Sequence, residues 1–331
     1  SQGANSIAIG RGAGNLSQGA NSISLGRAAG FVNQGTESIA IGHLAGNNAQ
    51  GNGAIAIGYG AGNDHQGWSA VALGVRAGYY YQSAGAVALG SSAGRTSQGQ
   101  SAVAVGRYAG NGSQGDYSVA VGRYAGGSNQ NTNAVAVGHA AGEYTQGQYG
   151  VAMGWQAGQS SQGTSAVAIG VNAASNTQGN EAVAIGNSAG YSNQGTYAVA
   201  VGSGSGGSYQ ETGSIAICGN AGLGAHQYSI SLGYQSGYVG NANGNSNVGI
   251  GPQSLYSNTT GSGNIGIGYQ AGYSNDAGLY NVCIGYTAGY STITTGYVIA
   301  IGYRAAYTNS TGYSLVAIGN DALRRNTTGT N

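Results

Sequence analysis

One hydrophobic pattern recurs along the whole chain: two aliphatic residues flank a small one, and a glycine usually follows. Copies of this triplet begin sixteen residues apart from Ile7 to Ile215. After one step of fifteen and one of eighteen, the remaining copies begin seventeen residues apart, giving twenty in all. Alternation with a period of two residues is typical of a β-strand, and Val and Ile favour strands. The pattern therefore predicts twenty short strands.

The residues between the triplets predict tight turns. The triplet is followed by glycine and then by an Ala-Gly pair, as in VAVGRYAG from Val103, and glycine at such places marks turns. A unit of about sixteen residues is too small for a propeller blade or a helical repeat, but it fits one coil of a solenoid. We predict an all-β fold, a parallel β-solenoid of about twenty coils of 15–18 residues. Stacking at about 4.8 Å per coil would give a rod roughly 90–100 Å long.

The change of period divides the chain into two stretches. Residues 1–226 carry the sixteen-residue repeat, and residues 227–331 continue with seventeen-residue repeats rich in Tyr, Asn and Thr. One column of the first stretch is always Gln. Stacked carboxamides can hydrogen-bond along the axis, so we interpret this column as a structural ladder at a turn. Its members are Gln2, Gln18, Gln34, Gln50, Gln66, Gln82, Gln98, Gln114, Gln130, Gln146, Gln162, Gln178, Gln194 and Gln210.

The two aliphatic residues of a triplet share one face, and the small residue takes the opposite face. Burial of the larger side chains predicts that pairs such as Val119 and Val121 lie inside the coil. The middle residue is Ala in fifteen of twenty copies and is never large or charged, so it packs against a surface. That surface is either the opposite wall of a flattened coil or another chain. We favour another chain, which makes Ala104, Ala120 and Ala136 candidates for packing between chains.

Several repeats resemble those of a known family. The units NSIAIGRGAG, SAVAVGRYAG and EAVAIGNSAG resemble the YadA-like head repeats of trimeric autotransporter adhesins, and GNIGIGYQAGYSN is similar to repeats of phage and large-virus fibre proteins. The resemblance implies a left-handed parallel β-roll in which three chains pack side by side. The repeat unit of this chain is slightly longer than the adhesin unit, and it carries the Gln column.

Composition excludes several classes of protein. The 68 Gly residues show no three-residue period and come with a single Pro, which excludes collagen. The net charge is +1 without basic clusters, so we expect no nucleic-acid partner. No apolar run is long enough to span a bilayer. The two cysteines, Cys218 and Cys283, show no metal-site spacing.

Catalytic groups do not cluster in the sequence. The four His and eight acidic residues are scattered, and the Gly-x-Gly pieces are not followed by a helix. We therefore predict no enzymatic activity, no cofactor and no metal site. Tyr is the one suggestive side chain, because it recurs at two repeat positions in the last coils. We interpret these residues as stacked side chains that pack neighbouring coils, or as a candidate ligand or partner surface: Tyr269, Tyr273, Tyr286, Tyr290, Tyr303 and Tyr307.

The sequence favours a glycine-rich structural protein, the rod of an extracellular, cell-surface or virion-surface fibre or filament. We expect it to self-associate as a homotrimer or filament and to adhere weakly to glycans or a host surface. The main alternative is an adhesin head that binds glycans through its Tyr and polar stripes. An ice-binding solenoid would need a regular Thr-rich face, and a tailspike hydrolase would need a paired acidic site. Neither pattern is present in the sequence.

Overall fold

The strands of this protein stack in parallel, one coil per repeat. A computed structural model describes residues 1–238, 244–291, 296–309 and 312–326. The chain forms two compact units, residues 1–165 and 166–331. Each unit is a parallel β-solenoid built from three-residue strands, and the described residues contain no α-helix. The predicted fold class is confirmed.

The first unit contains two parallel sheets, one on each wall of the coil. In the triplet sheet, Val103 pairs with Val119 and Ala104 with Ala120, one repeat further along. In the second sheet, Gln82 pairs with Gln98. The triplet strands are β1 (Ile7–Ile9), β3 (Ile23–Leu25), β5 (Ile39–Ile41), β7 (Ile55–Ile57), β9 (Val71–Leu73), β11 (Val87–Leu89), β13 (Val103–Val105), β14 (Val119–Val121), β15 (Val135–Val137) and β16 (Val151–Met153). The second sheet comprises β2 (Leu16–Gln18), β4 (Val32–Gln34), β6 (Asn48–Gln50), β8 (Asp64–Gln66), β10 (Tyr80–Gln82) and β12 (Thr96–Gln98).

The second unit keeps the triplet register while the repeat length changes. Ile215 pairs with Ile230, and Ile230 pairs with Val248, although these steps span fifteen and eighteen residues. The turns therefore absorb the extra residues. The boundary predicted at 226/227 falls inside this unit, between the strands Ile215–Ile217 and Ile230–Leu232. The strands are β17 (Val167–Ile169), β18 (Val183–Ile185), β19 (Val199–Val201), β20 (Ile215–Ile217), β21 (Ile230–Leu232), β22 (Val248–Ile250), β23 (Ile265–Ile267), β24 (Val282–Ile284), β25 (Ile299–Ile301) and β26 (Val316–Ile318).

Along the triplet strands, the small side chains face the interior of the coil, whereas the large aliphatic ones lie on the outside. Ala120 is fully buried within its own chain, while Val119 and Val121 are only half-buried. The prediction that the aliphatic pairs lie inside the coil is therefore wrong, although the assignment of one coil per repeat holds. The same inversion overturns the prediction that the triplet alanines pack against another chain. Ala104, Ala120 and Ala136 are all enclosed by the chain's own walls, so no surface of theirs is left for another chain to contact.

The narrowness of the coil explains this inversion. In most repeats the glycine of the Ala-Gly pair lies opposite the triplet alanine, and a Cβ added at Gly126 would lie 3.2 Å from the Cβ of Ala120 and 2.6 Å from Oε1 of Gln130. Interiors of proteins are close-packed, so an aliphatic side chain such as Val in place of Ala120 would have no room between these walls. The aliphatic residues face outward because only the outer face can hold them.

The glycine after each triplet is required by the approach of successive coils. Gly106 has φ +125°, and a Cβ there would lie 2.8 Å from the carbonyl oxygen of Gly122 in the next coil. In the coil where the motif changes, Cys218 takes the place of this glycine. The hydrogen bonds show the equivalence: the amide of Cys218 donates to the carbonyl of Val201, just as the amide of Gly202 donates to the carbonyl of Ile185. Cys218 has φ +96°, a strained backbone conformation for a residue with a side chain.

Candidate functional site

The most extensive candidate site is an aliphatic face on the triplet sheet of each unit. We define the aliphatic face as the first and third residues of the triplets, which point away from the coil interior in both units. In the first unit its exposed members are Ile7, Ile9, Leu25, Leu73, Leu89 and Met153, and the others are half-buried. In the second unit they are Ile185, Ile217, Ile250, Ile299, Val316 and Ile318.

The size and regularity of this face make it a candidate interaction surface. Ten strands at about 4.8 Å spacing, with two side-chain columns about 7 Å apart, offer roughly 400 Å² of aliphatic surface in each unit. The largest apolar patch on a soluble monomer is typically of about this extent and is often functional. Sequence reasoning missed this surface, because hydrophobicity alone placed the aliphatic side chains in the core.

The Gln column is an interior ladder rather than a surface stripe. Gln66 donates from Nε2 to the carbonyl of Ile55 across the coil at 2.9 Å and to Oε1 of Gln82 in the next coil at 3.1 Å. The buried members of the column, Gln18 to Gln210, are at most 4 % exposed. The predicted ladder is confirmed for these hydrogen-bonded members, and its position is deeper than the turn that we expected.

Asn replaces Gln in the longer coils of the second unit. Oδ1 of Asn247 accepts from the backbone amide of Asn264 at 2.9 Å, and Oδ1 of Asn264 accepts from that of Asn281 at the same distance. All three side chains are buried. Each Asn directly precedes a triplet, so the ladder has moved to a different wall of the coil. Both ladders hydrogen-bond most of these buried polar groups, although Oε1 of Gln18, Gln50 and Gln114 is buried without a partner. The buried side chains of both ladders are closed to a ligand from solvent.

The candidate Tyr residues form two stacked columns in the second unit. In the column of half-buried rings, Tyr273 lies 5.0 Å from Tyr290, which lies 5.0 Å from Tyr307, with nearly parallel planes. In the exposed column, Tyr269 lies 5.2 Å from Tyr286, and Tyr286 lies 5.5 Å from Tyr303. The structure thus brings all six together as ring stacks.

This stacking decides which part of each ring a ligand can reach. A ring between two stacked neighbours has both faces covered, as Tyr286 and Tyr290 do, and presents its edge and hydroxyl to solvent. The guanidinium of Arg304 lies 4.8 Å from the ring centre of Tyr303 at the end of the exposed column. Burial and, to a lesser degree, neighbouring phenols raise the pKa of Tyr256 and of Tyr290 above the ordinary value of 10.0. The columns therefore stabilise the coils, and their role as a ligand surface remains a prediction.

A metal-binding cluster is absent from the described ranges. No three His, Cys, Asp or Glu side chains within those ranges come together in a way that could hold a metal ion. The lack of enzymatic activity stays a prediction. Among the described residues there is likewise no helix with the length and apolarity needed to cross a membrane.

Comparisons with known proteins leave the family open. No family model matches the sequence, and no curated protein matches it. The resemblance to adhesin heads and virus fibres therefore rests on the repeat motifs alone.

Proposed function

We propose that this chain is a structural element of an extracellular, cell-surface or virion-surface fibre and that copies of it associate through their aliphatic faces. The role is mechanical: stacked coils give stiffness, and lateral association gives strength. The observation that carries the proposal is the exposed aliphatic face, which recurs on every coil of both units.

The chemistry of this face favours a partner with the same regular surface. Its side chains repeat at the spacing of the coils, so a second copy offers columns of matching period over its whole length. Burying it would remove roughly 400 Å² of apolar surface per unit from water, at about 25 cal/mol per Å². The resemblance to trimeric adhesin heads supports three copies as the stoichiometry.

The proposal is tested by the mass of the particle in solution. We expect multi-angle light scattering of the wild-type chain at micromolar concentration to give a multiple of the chain mass of 32.4 kDa. Replacing Val119 and Val135 by Glu puts two charges into the middle of the first unit's aliphatic face. Buried unpaired charges are strongly unfavourable, so the variant should dissociate at least about a hundredfold more readily.

The matched control places the same charges on another part of the surface. Tyr117 and Tyr149 are exposed and lie outside the triplets, so the double change of both to Glu should leave the mass unchanged. Circular dichroism should show that both variants keep their β-structure. A wild-type particle with the mass of one chain would reject the proposal, as would equal dissociation of the two variants.

A further inference from the structure

One surface groove of the first unit combines a free aromatic ring with polar groups. It is a shallow, open groove of about 350 Å³ beside Trp68 and the column formed by Asn33, Ala49 and His65. Its other lining residues are Gln50, Gly51, Gln66 and Gly67. The groove belongs to the wall of the second sheet, at strands β6 and β8, and not to the triplet sheet with the aliphatic face.

Trp68 presents a large, strongly exposed ring beside this groove. Its side chain is 70 % exposed, and none of the aromatic rings in the described part of the chain stacks on it. The equivalent positions in the neighbouring coils are Asn52 and Ala84, which are much smaller. Trp155, the second tryptophan, instead lies parallel to the ring of His139 at 6.4 Å.

His65 is held in place on the opposite side of the groove. Its Nδ1 lies 2.9 Å from Oδ1 of Asp64, an oxygen that also accepts from Nδ2 of Asn48 at 2.7 Å. One face of the imidazole stacks on Tyr81 at 5.3 Å. The next coil on the other side carries only the methyl group of Ala49, so the second imidazole face looks onto the groove. Nε2 is left for an outside partner.

The floor of the groove is made of small residues. Ala49 lies between Asn33 and His65 in the column, and Gly51 and Gly67 follow their strands on the adjoining turn. The gap between the larger side chains is therefore about one residue wide. Binding sites of this kind combine an aromatic surface with a few polar groups that fix orientation, and here Asn33 and His65 supply those groups.

We propose that this groove binds a neutral pyranose sugar, with the apolar face of the sugar ring on the indole of Trp68. A pyranose has an apolar C–H face that packs on an aromatic ring and a rim of hydroxyls that both donate and accept hydrogen bonds. The carboxamide of Asn33 can do both, and Nε2 of His65 adds one further group. The width of the gap suits one ring.

The lining excludes the charged alternatives. No Arg, Lys, Asp or Glu lines the groove, and the nearby Asp64 is engaged by Asn48 and His65. A nucleotide or nucleic acid would need cations for its phosphates, and an acidic sugar would need a cation for its carboxylate. A proline-rich peptide docks between several aromatic side chains, whereas Trp68 is the single Trp or Tyr on this groove.

The two tryptophans make a direct test possible. With Trp155→Phe, Trp68 becomes the only tryptophan, and its fluorescence reports on the groove. We expect titration with methyl glycosides of glucose, mannose, galactose and N-acetylglucosamine to give a saturable change with at least one of them. The reverse variant, Trp68→Phe with Trp155 kept, should show no change with the same sugar.

Substitutions in the groove and elsewhere complete the test. Glycan-array binding should fall at least about tenfold for Trp68→Ala and should be unchanged for Trp155→Ala and for Tyr286→Ala. Ala49→Leu fills the floor and should abolish binding while circular dichroism stays the same. The proposal is overturned if no neutral glycan binds, if sialylated glycans or a polyproline peptide bind instead, or if Tyr286→Ala abolishes binding while Trp68→Ala does not.

Discussion

Gln66 and Gln82 lie one coil apart, and Nε2 of Gln66 donates a 3.1 Å hydrogen bond to Oε1 of Gln82. Gln82 in turn donates to the carbonyl of Val71 on the opposite wall at 2.9 Å and to the carbonyl of Ala86 at 3.2 Å. A single carboxamide therefore connects both walls of its own coil to the coil before it. The interior combines methyl groups with these amide crosslinks.

The first prediction removes one crosslink. Gln82→Leu removes the Nε2 donor from the carbonyl of Val71 and from Oε1 of Gln98, inside a region closed to water. Each unsatisfied buried polar group costs about 1–3 kcal/mol, so the first unit should lose at least about 2 kcal/mol of stability. Urea unfolding followed by circular dichroism measures this loss. Gln100→Leu, at an exposed turn, is the control and should change stability by less than about 0.5 kcal/mol. Equal effects of the two changes would contradict the interior ladder.

The second prediction separates the inside of the coil from the outside. Ala120→Leu forces three additional carbon atoms into a space already limited by Gly126 and Gln130, and overpacking of this kind costs about 1–3 kcal/mol or more. Its melting temperature should fall while the mass of the assembled particle stays the same. Val121→Leu, on the outer face, should have little effect on melting. A lower particle mass for Ala120→Leu without loss of stability would restore the idea that this column contacts another chain.

The sequence was sufficient to predict the repeat, the strands and the parallel stacking, because each depends on local spacing. Val119 and Val121 share a face whichever way that face points, so the pattern could not decide which side was inside. Hydrophobicity favours Val over Ala for the interior of the coil, but the walls are so close together that only the smaller side chain of Ala120 fits there. One signal was present: the residue before the triplet and the alanine of the Ala-Gly pair are also small in most coils. Three columns of small residues that point into the coil indicate a narrow interior. Trp68 could be found only from the smaller residues that flank it in the adjacent coils.

The third prediction concerns the two thiols. Cys283 fills the small interior column and is buried, and burial raises the pKa of its thiol to about 12, whereas Cys218 is exposed. The thiolate is the reactive form, so Cys283 should not react in the folded protein. Ellman's reagent should titrate one thiol per native chain and two after unfolding in guanidinium. Two rapidly reacting thiols in the native protein would be inconsistent with the buried position.

The fourth prediction uses the strained position of Cys218. At φ +96°, glycine is less strained than a residue with a Cβ, and every other resolved sixteen-residue coil of the second unit places glycine after its triplet. Cys218→Gly should therefore stabilise the second unit by about 1 kcal/mol, although glycine also gains entropy in the unfolded chain. Cys218→Ala, which keeps the Cβ, is the control and should give no such gain. Thermal unfolding of the two variants side by side measures the difference.

The fifth prediction is a loss of stability in alkali. The pKa values of Tyr256 and Tyr290 are raised above 10.0 in the folded chain, mainly by burial, so the folded state holds their protons more tightly than the unfolded state. Their contribution to stability is complete below about pH 10 and is lost as the pH rises through the folded pKa values. Urea midpoints measured from pH 8 to pH 12 should fall above pH 10. The double variant Tyr256→Phe/Tyr290→Phe should show a smaller fall, and an identical fall would contradict the prediction.

Triplet strands of the first unit meet their neighbours through the same columns at every coil, sixteen residues apart. Repetitive genes gain and lose whole copies when the replication machinery slips. In this molecule, such a slip would remove or add one complete coil, and the coils on either side would still find the same backbone partners, the same alanine and the same glutamine. The length of the first unit can therefore change in steps of about 4.8 Å by a single genetic event, without refolding the rest of the unit. Selection can therefore act on the length of the first unit independently of its fold.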